Sequence, residues 1–105
     1  MIDESIEREV LQRMESLRDN RWERISSEIQ DGGCFLLLIV HLHESQVRTE
    51  NIQEIRRLLS EVCRELIPQR SGEYAWMINI QGGQGLLDSV SGGWIEFSAD
   101  VPSEK

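Results

Sequence analysis

The run CFLLLIVHLHE at residues 34–44 limits the folds open to this chain more than any other stretch. Two glycines precede the run and a polar segment follows it. The run is well short of the roughly 20 apolar residues that a membrane-spanning helix needs, and polar residues do not recur in it at helical spacing. We therefore expect a central β-strand whose side chains point alternately to the two faces of a sheet.

Both faces of this strand are apolar, so both need a cover. One face carries Cys34, Leu36, Leu38, Val40 and Leu42, and the other carries Phe35, Leu37, Ile39, His41 and His43. Two helices can flank the sheet, or they can share one face while a second subunit covers the other. Because the chain has little material to cover a second face, the sequence predicts a homodimer.

Two amphipathic helices are predicted, one before this strand and one after it. Residues 2–29 place apolar side chains three or four residues apart, or at multiples of that interval, which predicts one long helix that Asp3 or Ser5 can cap. Its apolar positions are Ile6, Val10, Met14, Leu17, Ile25 and Ile29. Residues 49–67 show a similar seam and stop before Pro68, which predicts a second helix.

Two further strands are predicted, at residues 73–81 (EYAWMINIQ) and 94–101 (WIEFSADV). The order α-β-α-β-β predicts a single small α+β domain over residues 1–105, with residues 102–105 as a flexible tail. A crossover through the second helix makes the first two strands parallel, and the third strand then returns antiparallel to the second. The mixed sheet has three strands, or four if the segment between the last two strands adds a short one.

That segment, QGGQGLLDSVSGG at residues 81–93, is predicted to be a loop and contains the first candidate ligand site. Gly82, Gly83, Gln84 and Gly85 can let backbone N–H groups approach an anion, as in phosphate-binding loops. Those loops usually add a lysine or arginine, whereas the only charged residue of this segment is acidic. Turn formation is the alternative interpretation, and no nucleotide cofactor is expected.

His41 and His43 are the only histidines, and an H-x-H pair on a strand can supply two ligands to a zinc ion. A third ligand has to come from elsewhere in the fold, because Cys34 and Glu44 are expected on the opposite face of the strand. The alternative is a pair of half-exposed imidazoles where the strand leaves the core. We name the two histidines as candidate ligands and expect no metal cofactor.

No pattern of reactive residues predicts catalysis, so an enzyme is not expected. Cys34 and Cys63 are isolated cysteines in apolar sequence, which is typical of packing, and we expect both to be free and slow to react in the folded protein. The only lysine is Lys105, which excludes Schiff-base chemistry and P-loop catalysis.

The formal net charge of −8 is large for 105 residues. It disfavours direct binding to nucleic acids and anionic membranes and favours basic protein partners, including nucleic-acid enzymes with positive grooves. Solubility alone is the alternative reason for such a charge. The N-terminal sequence resembles neither a secretory nor a transit peptide, so a cytoplasmic location is expected.

The sequence therefore predicts a non-catalytic binding protein that docks on a basic partner, as an inhibitor, an immunity or anti-defence factor, or a regulatory subunit. The expected contact surface is the third strand with the segment before it, where acidic side chains surround one large aromatic residue. Its residues are Asp88, Trp94, Glu96 and Asp100. The alternative function is a small-ligand or metal module that uses the glycine-rich segment or the two histidines.

Overall fold

The structure is a computed structural model that describes residues 2–17, 20–67 and 74–93. Within these ranges the elements are α1 (Glu4–Ser16), β1 (Trp22–Gln30), β2 (Phe35–Leu42), α2 (Thr49–Leu66), β3 (Ala75–Gly82) and β4 (Gly85–Gly93). Together they form an α+β domain with two helices and a mixed four-stranded sheet, which confirms the predicted fold class. No helix in these ranges is long and apolar enough to cross a membrane.

The strands lie in the order β1-β2-β3-β4 across the sheet. β1 and β2 pair antiparallel, β2 and β3 pair parallel, and β3 and β4 pair antiparallel. The connection between the parallel strands passes through α2, because parallel neighbours need a long crossover. The parallel pairing predicted for the strands on either side of the second helix is therefore confirmed.

The prediction of one helix over residues 2–29 is wrong. α1 ends at Ser16, and Asn20 has a left-handed backbone with φ +74°, after which the chain enters β1. Asp3 caps α1, since its Oδ1 accepts the backbone N–H of Ile6 at 3.0 Å. Ile25 and Ile29 are four residues apart, a spacing that suits both a helix and alternate positions of one strand face. In β1 they lie beside Val40 and Leu36 of β2.

The glycine-rich segment is also different from the predicted loop. It forms β4, which returns antiparallel along β3 after a two-residue turn at Gly83 and Gln84. This strand supplies the fourth strand of the sheet and the antiparallel return. The strand predicted at residues 94–101 and the tail predicted at 102–105 lie outside the described residues.

Both helices pack on the same face of the sheet. That covered face is buried along β2 and β3, and its side chains form one core with those of the helices. The main contributors are Val10 and Met14 of α1, Ile55, Leu59 and Val62 of α2, Trp22 of β1, Leu36, Leu38 and Val40 of β2, and Trp76, Ile78 and Ile80 of β3. The opposite face, which we call the open face, carries the half-buried alternate residues of the same strands.

Candidate functional site

The turn between β3 and β4 is shaped by a neighbouring carboxylate. A Cβ atom at Gly83 would lie 2.7 Å from Oε1 of Glu44, so the glycine lets this side chain lie against the turn. A Cβ atom at Gly82 would meet Leu87 at 3.2 Å. Because the carboxylate places negative charge at the glycines, the turn is a poor site for phosphate or another anion.

His41 lines a small depression of about 150 Å³ at the same end of the sheet. Glu23, Glu44, Gly82 and Gly83 contribute to the same depression, so the structure brings one predicted metal ligand beside the predicted glycine site. His43 lies just after β2, with Nδ1 3.8 Å from Oε2 of Glu23. Within residues 2–17, 20–67 and 74–93, no three His, Cys, Asp or Glu side chains are placed to hold a metal ion.

The two cysteines lie in different environments. Cys63 is buried in α2, and desolvation raises the pKa of its thiol to about 12, although the charge of Arg64 acts in the opposite direction. Cys34 is exposed, which corrects the expectation that both cysteines are in the core. The reason is local: β2 begins at Phe35, and Cys34 has a helical backbone at the end of the Asp31–Gly33 turn, so the strand alternation does not reach it.

Of the four residues predicted to contact a partner, the structure describes only Asp88. Its Oδ2 lies 3.6 Å from Nη1 of Arg56, and its Oδ1 accepts the backbone N–H of Ser89 at 2.9 Å. The carboxylate is thus already engaged within the chain. Trp94, Glu96 and Asp100 lie outside the described residues, so the predicted surface as a whole stays a prediction.

Acidic and basic side chains alternate and pair along α2. Arg57 lies within 4.0 Å of Glu54 and 3.4 Å of Glu61. Arg21, the residue directly before β1, donates a hydrogen bond to Glu54 at 2.6 Å. A groove of about 480 Å³ runs between α2 and β4, lined by three arginines and three serines together with Glu61. The carboxylates around this groove offset much of its positive charge, so α2 presents a mixed surface.

A second groove, of about 520 Å³, runs along the flank of α1, and sequence reasoning did not identify it. We call it the α1 groove; it is lined by Glu4, Glu7, Arg8, Leu11, Gln12 and Glu15. These residues recur three or four positions apart, so they share one side of the helix. Half-buried Leu11 lies in the middle of the set in sequence, with glutamates on both sides.

The charge of the α1 groove is less compensated than that of α2. Glu7 accepts a hydrogen bond from the Ser27 hydroxyl at 2.6 Å, which fixes its carboxylate beside β1. Among the described residues, neither Glu4 nor Glu7 has an arginine partner. Three glutamates and one arginine therefore border one apolar side chain. The signal in the sequence was the spacing of Glu4, Leu11 and Glu15, which is also the spacing of an ordinary solvated helix face.

Comparison of the chain with protein-family models, with curated proteins and with solved structures found no match in any of the three.

Proposed function

We propose that this protein is a non-catalytic binding protein that docks on a basic protein partner through the α1 groove. The observation that carries the proposal is the contrast between the two helices. Three of the four glutamates of α2 pair with arginines of the same chain. Glu4 and Glu7 on α1 have no arginine partner among the described residues. Carboxylates that have no arginine partner and lie beside an apolar side chain, as Glu4 and Glu7 do near Leu11, suit a segment that carries lysine or arginine beside an apolar anchor.

The net charge of −8 also favours binding to a basic protein. A negative field increases the encounter rate with a positive partner, and the apolar contact at Leu11 then slows dissociation. This combination suits an inhibitor, an immunity or anti-defence factor, or a regulatory subunit that docks on a basic protein. A cytoplasmic location and a homodimeric state belong to the same proposal. Asp88, Trp94, Glu96 and Asp100 stay predicted contributors to partner binding.

The test compares two double variants with the same change in net charge. Glu4→Gln with Glu15→Gln neutralises the α1 groove, and Glu50→Gln with Glu61→Gln neutralises two exposed carboxylates of α2. Both pairs include one glutamate from the first turn of a helix, so the loss of helix-dipole stabilisation is matched. The wild type and both variants are immobilised, and proteins captured from a lysate of the native host are identified by mass spectrometry.

We expect a basic protein that is captured by the wild type and the α2 variant and lost by the α1 variant. With that protein purified, the α1 variant should weaken binding by about tenfold and the α2 variant by less than about twofold. Association with the wild type should slow several-fold as salt rises to physiological strength. An acidic partner, or equal losses in the two variants, contradicts the proposal, since equal losses would mean that only overall charge matters.

A further inference from the structure

The open face of the sheet has an apolar centre. Phe35, Leu37 and Ile39 of β2 and Met77 of β3 are half-buried there, and both helices pack on the other side. The strand pairing places Leu37 directly beside Met77. Grouped apolar side chains on one face of a sheet are typical of a surface that is covered in the functional state.

Charged residues lie on the same face along β1, in a symmetric arrangement. Arg24 pairs with His41, Ser26 with Ile39, and Glu28 with Leu37. Arg24 and Glu28 are thus two residues before and after Ser26, each roughly 6.6 Å from it along the strand. Both are exposed, and Arg24 has no ion-pair or hydrogen-bond partner among the described residues.

We propose that the open face binds the open face of a second copy of this chain, about a twofold axis that lies along the row Ser26, Ile39 and Asn79. Such an axis runs across the strands in the plane between the two sheets and reverses the strand direction in the second copy. It therefore brings Arg24 of each copy against Glu28 of the other, and it places the two Ile39 side chains together at the centre. An isologous contact of this kind needs a self-complementary surface, and the two charges of β1 with Ile39 supply it. The same axis sets Leu37 and Met77 of each copy against the row of His41 and Gln81 in the other.

The size of the face suits a reversible dimer. Four strands about 4.8 Å apart and about eight residues long cover on the order of 500 Å² in each copy. The total of about 1,000 Å² is at the lower end for a specific interface. The dimer is accordingly reversible, with a dissociation constant in the micromolar range, and sheets packed in this way keep their strands within about 30° of one another.

This inference rests on the homodimer proposed above and adds its surface and symmetry. The experiment is sedimentation velocity over a range of concentrations with the wild type, Arg24→Glu, Glu28→Arg and the double variant. Each single variant places like charges together twice and should weaken the dimer by roughly tenfold. The double variant exchanges the two charges and should return within about threefold of the wild type. An equimolar mixture of the two single variants should form a heterodimer about as tight as the wild-type dimer.

Two further variants serve as controls, and the outcomes distinguish a failure of the homodimer from a failure of the proposed geometry. Arg48→Glu changes an exposed charge next to α2 and should leave the dimer unchanged, whereas Ile39→Asp should abolish it. A protein that stays monomeric to several hundred micromolar overturns both the homodimer and its geometry, and leaves the open face to the C-terminal segment or another protein. If the protein dimerises but Arg24→Glu and Glu28→Arg leave the dissociation constant unchanged, the homodimer is supported and the proposed twofold arrangement is overturned.

Discussion

The two faces of the sheet differ in how deeply their side chains are buried, although both are formed by the same strands. Along β2, Leu36, Leu38 and Val40 are fully buried under the helices, while Leu37 and Ile39 between them are only half-buried on the open face. Neighbouring residues of almost the same chemistry therefore contribute differently: one set is buried in the core, and the other is only partly covered within the described residues. The difference shows that an apolar residue in this strand is not by itself a core residue.

The largest expected effect separates the two faces through adjacent leucines. Leu38→Ala removes a fully buried side chain and should lower the free energy of unfolding by about 3 to 4 kcal/mol, because it leaves a cavity in the core. Leu37→Ala should cost about 1 kcal/mol in the monomer. Urea titration at low protein concentration measures both values. Equal losses would mean that the open face is part of the core.

A glycine of β4 provides the next test of close packing on the covered face. A Cβ atom at Gly92 would overlap the ring of Trp76, which Arg64 also contacts, with its guanidinium 5.7 Å from the ring centre. Gly92→Ala should therefore lower the free energy of unfolding by about 2 to 3 kcal/mol. Ser91→Ala, on the other face of the strand, is the matched control and should change it by less than about 0.5 kcal/mol. A harmless Gly92→Ala would show that β4 does not pack tightly on Trp76.

The buried thiol of Cys63 should make stability depend on alkaline pH. Its pKa is raised from 9.0 to about 12 in the folded protein, so above pH 9 the unfolded chain loses a proton that the folded chain keeps. Stability from this group is complete below the unfolded pKa and falls as the pH rises toward 12. Between about pH 8 and pH 10.5 the wild type should lose about 2 kcal/mol more than Cys63→Ala. Parallel pH profiles for the two proteins would contradict the burial of this thiol.

The smallest effect is expected from the ion pair that joins the two helices. Arg13 Nη1 donates to Oε1 of Glu65 at 2.8 Å, and both side chains are largely exposed, at 41% and 63%. A double-mutant cycle with Arg13→Gln and Glu65→Gln should give a coupling of about 0.5 kcal/mol or less, because water and salt screen the pair. A coupling above about 2 kcal/mol would make helix-to-helix electrostatics, and not the covered face, a main source of stability.

The sequence predicted the central strand and the second helix because each had a long, unambiguous pattern. It misassigned β1 because Ile25 and Ile29 fit helical spacing as well as strand alternation, and only pairing with β2 decides between them. β4 was missed for another reason. Glycine and serine have low strand propensity, and β4 exists because small residues fit beside Trp76 and pair with β3.

The candidate sites were harder to predict than the fold. Strand alternation correctly separated the two faces of β2, but no local pattern shows which face the helices cover. The α1 groove was not predicted because glutamates on a helix look alike whether or not an arginine from a distant element pairs with them. That distinction depends on tertiary contacts such as those of Arg21 with Glu54 and of Arg13 with Glu65.

Whether a second copy covers the open face can be measured directly through a single cysteine placed on the proposed axis. In a Cys34→Ser background, Ser26→Cys exposes one reactive thiol on β1, and Thr49→Cys places a control thiol at the exposed start of α2, while Cys63 stays buried. Reaction rates with a thiol reagent are compared at low-micromolar and several-hundred-micromolar protein. We expect Ser26→Cys to react roughly tenfold more slowly at the higher concentration, because a micromolar dimer covers it, while the rate of Thr49→Cys does not change. Equal rates for Ser26→Cys at both concentrations would show that no second copy covers the open face.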